Sequence, residues 1–254
     1  MATSTSSAPR PSHARQFAAR VVDRVLARSH SLLTSRRSLW TTAACAQVTH
    51  ALETAAGEGE GQFPHRWETL LRQLDDANRL LAAEALAIHL WYPNDVSPQT
   101  KFTYLTDTAA LMDHPFRVSP QARAGLAPGV SGSGVSYGIR RLSQLAYLTR
   151  AIGALTKAPR SRRQTLTDPW CWKEHLWSVP VTGGAAQREV LLHLVHPQVF
   201  EPIVSPRIKR QIVHAHADHL PAELVDIDEQ LGFLRRSLLA DDPGRPLRDL
   251  LPIE

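Results

Sequence analysis

The segment that most constrains the fold is the apolar run RLLAAEALAIHLWY, which Pro93 follows directly. After its opening arginine, only Glu84 and His89 interrupt the apolar residues, so a helix built from this run is apolar on nearly every side. Other elements have to cover such a helix all round, and the proline after it ends it. The sequence therefore predicts a central buried helix surrounded by further helices.

The remaining segments also show helical patterns, and prolines separate them. Leucine and isoleucine residues between Leu142 and Leu155 recur at steps of three and four, which is typical of an amphipathic helix. Alternating strand patterns are almost absent. Three helices are predicted to begin with an N-cap residue and a proline at the first helical position: Ser97-Pro98, Asp168-Pro169 and Ser205-Pro206. The predicted fold class is all-α, a compact multi-helix domain with proline-marked loops.

Domain boundaries follow from composition. We expect residues 1–14 to be a disordered tail, residues 15–240 a single helical domain, and residues 241–254 a C-terminal tail or a linker to a missing or separate module. The first forty residues are rich in Ser, Thr and Arg with Asp23 as the only acid, a composition that organellar transit peptides share. We favour a disordered start followed by an amphipathic helix from Arg15 to about His30.

Composition indicates a globular chain without a disulfide framework. Apolar residues make up 43% of the sequence, enough for a proper core. Cys45 and Cys171 are the only cysteines, which fits a reducing cytoplasm. No apolar run reaches the roughly 18 residues of a membrane-spanning helix. The formal net charge of +5 permits an acidic partner without requiring one.

Five histidines between residues 193 and 219 raise the question of a metal site. His193 and His196 stand three apart, a spacing that ligands can use. His214 and His216 stand two apart, so on a helix they point roughly 200° away from each other. No HExxH motif is present and neither cysteine is near. We expect partly exposed helix histidines, one or two of them hydrogen-bonded in the interior, with a metal-dependent enzyme as the alternative.

Other catalytic motifs are missing. The run GVSGSGVSYG lacks the lysine of a P-loop, misses the third glycine of a dinucleotide motif, and has no serine flanked by glycines as in a nucleophile elbow. It predicts a loop that leads into a helix. The carboxylate pairs Asp75–Asp76 and Asp241–Asp242 lie at helix breaks or ends. We therefore expect no catalytic residues, no metal and no cofactor, and we do not expect an enzyme.

The basic residues offer candidate contacts to nucleic acid. Four of them crowd one connector, and two share a face of the helix after Ser205, where they would neutralise phosphates. The alternative is an ordinary solvated surface on an arginine-rich protein. The candidate nucleic-acid contacts are Lys157, Arg160, Arg162, Arg163, Arg207 and Arg210.

Four segments together resemble a known family. LLTSRRSLWT, LWYPNDVSPQTK, DPWCWKEHLWSVP and LLHLVHPQVFEPIVSPRIKRQIV are similar to the N-terminal helical region of McrB-like proteins, AAA+ GTPases of modification-dependent restriction systems that defend bacteria against foreign DNA. The resemblance covers roughly residues 17 to 217. The residues that carry its signature are Pro197, Phe200, Glu201, Ile203, Ser205 and Lys209.

The resemblance implies an accessory role. McrB-like chains place this region before a nucleotide-driven motor, whereas this chain carries no Walker motif and is either a fragment or a free-standing version. We expect a cytoplasmic adaptor that docks on an AAA+ motor or nuclease partner, senses DNA, or both. A purely structural scaffold for assembly is the other alternative. The link between Pro197 and Ser205 should bury Phe200 and Ile203, and we expect Glu201 to approach Lys209 across it.

Overall fold

The all-α prediction is confirmed. The computed structural model describes residues 12–57, 62–242 and 244–251, and within them the only strand-like pairing is a single bridge between Pro93 and Ser131. None of the helices in these ranges is long and apolar enough to cross a membrane. The α-helices are α1 His13–Arg20, α2 Thr42–Gly57, α3 Phe63–Arg72, α4 Asp76–Trp91, α5 Pro98–Ala110, α6 Pro120–Leu126, α7 Val135–Ile139, α8 Arg141–Lys157, α9 Arg162–Thr167, α10 Pro169–Ser178, α11 Ala185–Val195, α12 Pro206–Ala215 and α13 Ile227–Leu238.

The first helix starts slightly earlier than the sequence indicated. Ser12 caps α1, with its side-chain oxygen accepting a hydrogen bond from the Arg15 backbone nitrogen at 3.3 Å. The helix continues without a break as the π-helical turn Val21–Ala27. Residues 1–11, most of the predicted tail, lie outside the described residues. The amphipathic helix predicted from Arg15 is thus present, and Phe17 is buried on its inner face.

The apolar run does form the central helix, α4. Every residue from Leu80 to Trp91 is buried, and α2, α5, α6 and α8 pack around it. Asp75 caps the helix by accepting a hydrogen bond from the Asn78 backbone nitrogen at 2.8 Å, which confirms the predicted break between α3 and α4. Pro93 follows its last turn.

The helices α2 and α8 form a close antiparallel pair. The Thr49 and Thr149 hydroxyls are hydrogen-bonded at 2.8 Å, while Cys45, earlier in α2, lies against Gly153, later in α8. A Cβ added at Gly153 would lie 2.8 Å from the Cβ of Cys45, closer than side chains tolerate. Glycine at position 153 therefore lets the two helix backbones approach closely. Burial in this contact raises the pKa of the Cys45 thiol to about 12.

The C-terminal helices form a layer with its own small core. We call residues 203–251 the C-terminal layer; in it α12 packs against α13 and against the 3₁₀ helix Leu247–Leu250. The buried residues of this second core are Ile203, Ile212, Leu231, Leu234, Leu239 and Leu247.

A buried ionic network joins the C-terminal layer to the main body. Lys209 of α12 places its Nζ 2.5 Å from Glu189 Oε2 of α11 and 2.6 Å from Asp228 Oδ1 of α13. Lys173 of α10 reaches Asp228 at 2.7 Å and Asp226 at 2.6 Å. Burial opposes the charged ammonium of Lys209, but the two carboxylates outweigh it and raise its pKa. The layer is therefore held by a paired charge rather than by apolar contact alone.

The predicted approach of Glu201 to Lys209 is wrong. Glu201 instead forms a bidentate ion pair with Arg235 of α13. The Arg235 Nε donates to Glu201 Oε1 and its Nη2 donates to Oε2. Lys209 binds two other carboxylates in the interior, those of Glu189 and Asp228.

Candidate nucleic-acid interface

A groove with a volume of about 1350 Å³ runs along the N-terminal helix. One wall is α1 with its π-helical continuation, and the other comprises the segments 159–167 and 193–198. Buried Trp91 lies at the floor, where its Nε1 donates a hydrogen bond to the Ala14 carbonyl at 2.9 Å and ties the wall to α4. We call this feature the arginine groove, after Arg15, Arg28, Arg162 and Arg163, which line it.

Arg162 is the most constrained of the four arginines. It is half-buried, and its Nη1 donates to the Ala27 carbonyl at 3.3 Å and to Ser29 Oγ at 3.1 Å. Its Nε makes no hydrogen bond within the described residues. Partial burial lowers the pKa of Arg162, although a guanidinium stays charged in proteins. A cation held in a fixed position is therefore built into the wall.

The other three arginines are exposed, and little negative charge opposes them. Asp23 is the only acid among the described residues that line the groove, and it is paired with Arg28 at 2.9 Å. Arg15 and Arg163 make no side-chain hydrogen bond or ion pair to any described residue. The groove thus carries an excess of positive charge with donors that face solvent.

Glu84 positions the loop that supports Arg162. This carboxylate, fully buried in α4, accepts hydrogen bonds from the Ser31 hydroxyl, from the Leu33 backbone nitrogen at 2.8 Å and from Trp40 Nε1 at 2.7 Å. Burial raises the pKa of Glu84, and the hydrogen bonds oppose that rise. The segment it organises, residues 28–40, carries Ser29, which accepts the bond from Arg162. Glu84, the acid that interrupts the apolar run, therefore connects the buried helix α4 to one wall of the groove.

The structure brings together only part of the predicted set of contacts. Arg162 and Arg163 line the arginine groove. Lys157 lies at a separate shallow concavity beside α2, and Arg160 is exposed outside the groove lining. Arg207 and Arg210, both exposed on α12, do not line the groove either.

Sequence reasoning missed Arg15 and Arg28. They lie more than 130 residues before Arg162 and Arg163, so no local pattern connects the two pairs. The available signal was the N-terminal composition, since the first forty residues hold many arginines and a single acid. The composition led us to predict a disordered start and an amphipathic helix, without indicating that this helix forms one wall of a binding surface.

The family-signature residues have structural roles. Phe200 and Ile203 are both buried, as predicted, Phe200 against the edge of Trp170 with ring centroids 5.6 Å apart. Ser205 caps α12 by accepting a hydrogen bond from the Ile208 backbone nitrogen at 3.3 Å. Pro197 is exposed at the rim of the arginine groove. Most of the signature thus builds the join between main body and C-terminal layer.

The clustered histidines are mostly tied to backbone carbonyls or exposed. His193 Nδ1 lies 2.7 Å from the Phe200 carbonyl oxygen, and burial lowers the pKa of its ring. His216 Nε2 lies 3.0 Å from the Leu250 carbonyl oxygen, whereas His214 is exposed. This confirms the expectation of hydrogen-bonded and partly exposed histidines. The described part of the chain holds no group of three His, Cys, Asp or Glu side chains arranged to bind a metal.

Comparison of the chain with protein-family models, curated proteins and solved structures found no match. The resemblance to McrB-like proteins therefore rests on the four sequence segments alone.

Proposed function

We propose that this chain is a non-catalytic, nucleic-acid-binding accessory module whose arginine groove contacts the phosphate backbone of DNA. The observation that carries the proposal is the meeting of four arginines from two distant segments on one concave surface with a single, already paired acid. Guanidinium groups bind phosphate through two parallel hydrogen bonds and keep their charge at any physiological pH.

The size of the groove favours a polymer over a small molecule. Pockets for small ligands typically measure about 300–1,000 Å³, and the arginine groove is larger, at about 1350 Å³. Its exposed cations, Arg15, Arg28 and Arg163, lie on both walls, a distribution that suits successive phosphates along a strand. Phosphate contacts fix position without reading bases, so we expect binding with little sequence preference.

The adaptor part of the proposal is supported by the sequence resemblance and by one surface feature. Trp177 is 43% exposed, and the guanidinium carbon of Arg188 lies 3.9 Å from its ring centroid. Exposed tryptophan and arginine are the residue types that contribute most to protein–protein contacts. We expect this patch to contact the AAA+ motor or nuclease partner of an antiphage restriction system.

The test of DNA binding compares two variants with the same change in charge. Arg15→Ala/Arg163→Ala removes two unpaired groove cations, and Arg207→Ala/Arg210→Ala removes two exposed cations from α12. Fluorescence anisotropy with labelled single-stranded and duplex 20-mers, repeated at several NaCl concentrations, gives affinity and salt dependence. With four phosphate contacts, the slope of log K against log salt should be about −3.

We expect the groove variant to bind at least tenfold more weakly, with its salt slope reduced in magnitude by about 1.5, while the α12 variant keeps most of the affinity. Equal losses in both variants would show a diffuse charge effect and contradict the groove. A flat titration of wild-type protein with both DNAs at low salt would remove DNA binding and leave the scaffold role.

A further inference from the structure

A second concavity, of about 660 Å³, lies where the main body meets the C-terminal layer. The glycine-rich loop forms one side, and the residues that define it here are Gly132, Arg140, Gln144, Gly183 and Arg248. We call it the glycine-loop pocket. It shares no lining residue with the arginine groove.

The loop is held rigidly in place. Gly129 has φ +66°, and a Cβ there would lie 2.4 Å from the Pro93 carbonyl oxygen, so only glycine fits. Ser133 is fixed by Asp95, whose Oδ2 accepts its backbone N–H at 3.1 Å and whose Oδ1 accepts its hydroxyl at 3.0 Å. The floor is equally fixed: the Tyr137 ring stacks on buried His89 with centroids 4.2 Å apart.

Two arginines flank the pocket from opposite parts of the protein. Arg140 immediately precedes α8 in the main body, and its Cδ would lie 3.9 Å from a Cβ at Gly183. Arg248 belongs to the C-terminal layer, and its Nη1 would lie 3.4 Å from a Cβ at Gly132. Neither side chain makes a hydrogen bond or ion pair with the described residues, and no acidic side chain among those residues lines the pocket.

A buried amide adds an unused donor. Gln144 is 2% exposed and lines the pocket; its Oε1 accepts a hydrogen bond from the Gln187 backbone nitrogen at 2.7 Å. Its Nε2 makes no hydrogen bond within the described residues. Gln187 lies in the first turn of α11, so the Gln144 amide caps this helix start, and Ala185 and Ala186 of the same turn also line the pocket. Two free cations and a free amide donor therefore surround one cavity.

We propose that the glycine-loop pocket binds a small phosphate-bearing ligand, with the anionic group held between Arg140 and Arg248 and hydrogen-bonded by Gln144. The volume lies within the range of small-molecule sites. Because the two arginines come from the main body and the C-terminal layer, an occupied pocket clamps the layer onto the body. No bond is made or broken, and the loop has no P-loop lysine, so binding occurs without hydrolysis.

Inorganic pyrophosphate is the probe, titrated by isothermal calorimetry at constant ionic strength. Saturable binding is expected in wild-type protein, weakened at least tenfold by Arg140→Ala and by Arg248→Ala. Both side chains are exposed, so their removal leaves the core unchanged. Arg210→Ala, an exposed arginine on α12, is the matched control and keeps wild-type affinity. The groove variant Arg15→Ala/Arg163→Ala also keeps it, which separates this pocket from the DNA surface.

Hydrogen exchange tests the clamp. Pyrophosphate should slow amide exchange across α12 and α13 in wild-type protein and leave it unchanged in Arg248→Ala. The absence of saturable binding at millimolar pyrophosphate, or equal affinity in the wild-type, Arg140→Ala and Arg248→Ala proteins, would overturn the site. Binding without protection of the C-terminal layer would overturn the clamp.

Discussion

Lys209→Met is expected to lower the free energy of unfolding by about 3–5 kcal/mol, the usual cost of removing one partner from a buried ion pair. The Lys209 ammonium is the only hydrogen-bond or ion-pair partner of the Glu189 carboxylate among the described residues, and it is one of two lysines paired with Asp228. The Glu189 side chain is 5% exposed. Methionine fills the same volume, so the loss measures an uncompensated buried charge rather than a cavity. Urea unfolding at pH 7 measures it.

The control for Lys209→Met is Lys157→Met, an exposed lysine at the end of α8 whose loss should change stability by less than about 0.5 kcal/mol. In Lys209→Met/Glu189→Leu both members of the pair become apolar, and we expect part of the stability to return. If Lys209→Met costs under about 1 kcal/mol, the network is effectively solvated and does not hold the C-terminal layer.

Glu84→Gln is expected to cost about 2–3 kcal/mol although it is nearly isosteric. The carboxylate accepts from three donors, and its two oxygens face Trp40 Nε1 on one side and Ser31 with Leu33 on the other. A carboxamide has one acceptor oxygen, so its NH₂ group must point at one of these donors. The segment 28–40 should loosen, which increases trypsin cleavage at the exposed Arg36 and Arg37.

Glu68→Gln serves as the control for Glu84→Gln, because Glu68 is exposed on α3 and pairs with Arg72 across one helical turn. That change should leave unfolding and proteolysis near wild type. Unchanged stability and an unchanged trypsin rate in Glu84→Gln would refute the role of the buried acid in organising the groove wall.

Local chemistry predicted the helices well. The caps at Ser97, Asp168 and Ser205 form as expected, because a side-chain oxygen and a proline at the helix start act within a few residues. The central position of α4 was also predictable, because a run apolar on all sides has no other stable location. Helix caps and apolar runs involve residues that are close in sequence, so they can be predicted without knowing how the chain packs.

The arrangement of charges was less predictable. Glu201 and Lys209 are close in sequence, yet Lys209 turns to Glu189 and Asp228, since a buried ammonium is stabilised by two carboxylates more than by one. The arginine groove depends on packing the π-helical turn Val21–Ala27 against α9, a contact between segments far apart in the chain. Charge runs in sequence show which residues are basic, and tertiary packing decides which of them share a surface.

Photo-cross-linking tests the central claim, DNA contact in the arginine groove, most directly. A thymidine-rich single strand would be irradiated with the full chain and the adducts mapped by mass spectrometry. The expected result is adducts in residues 13–28 together with residues 159–167 or 193–198, the walls of the groove, and their loss in Arg15→Ala/Arg163→Ala. Adducts confined to α12, or adducts that the groove variant leaves unchanged, would contradict the account.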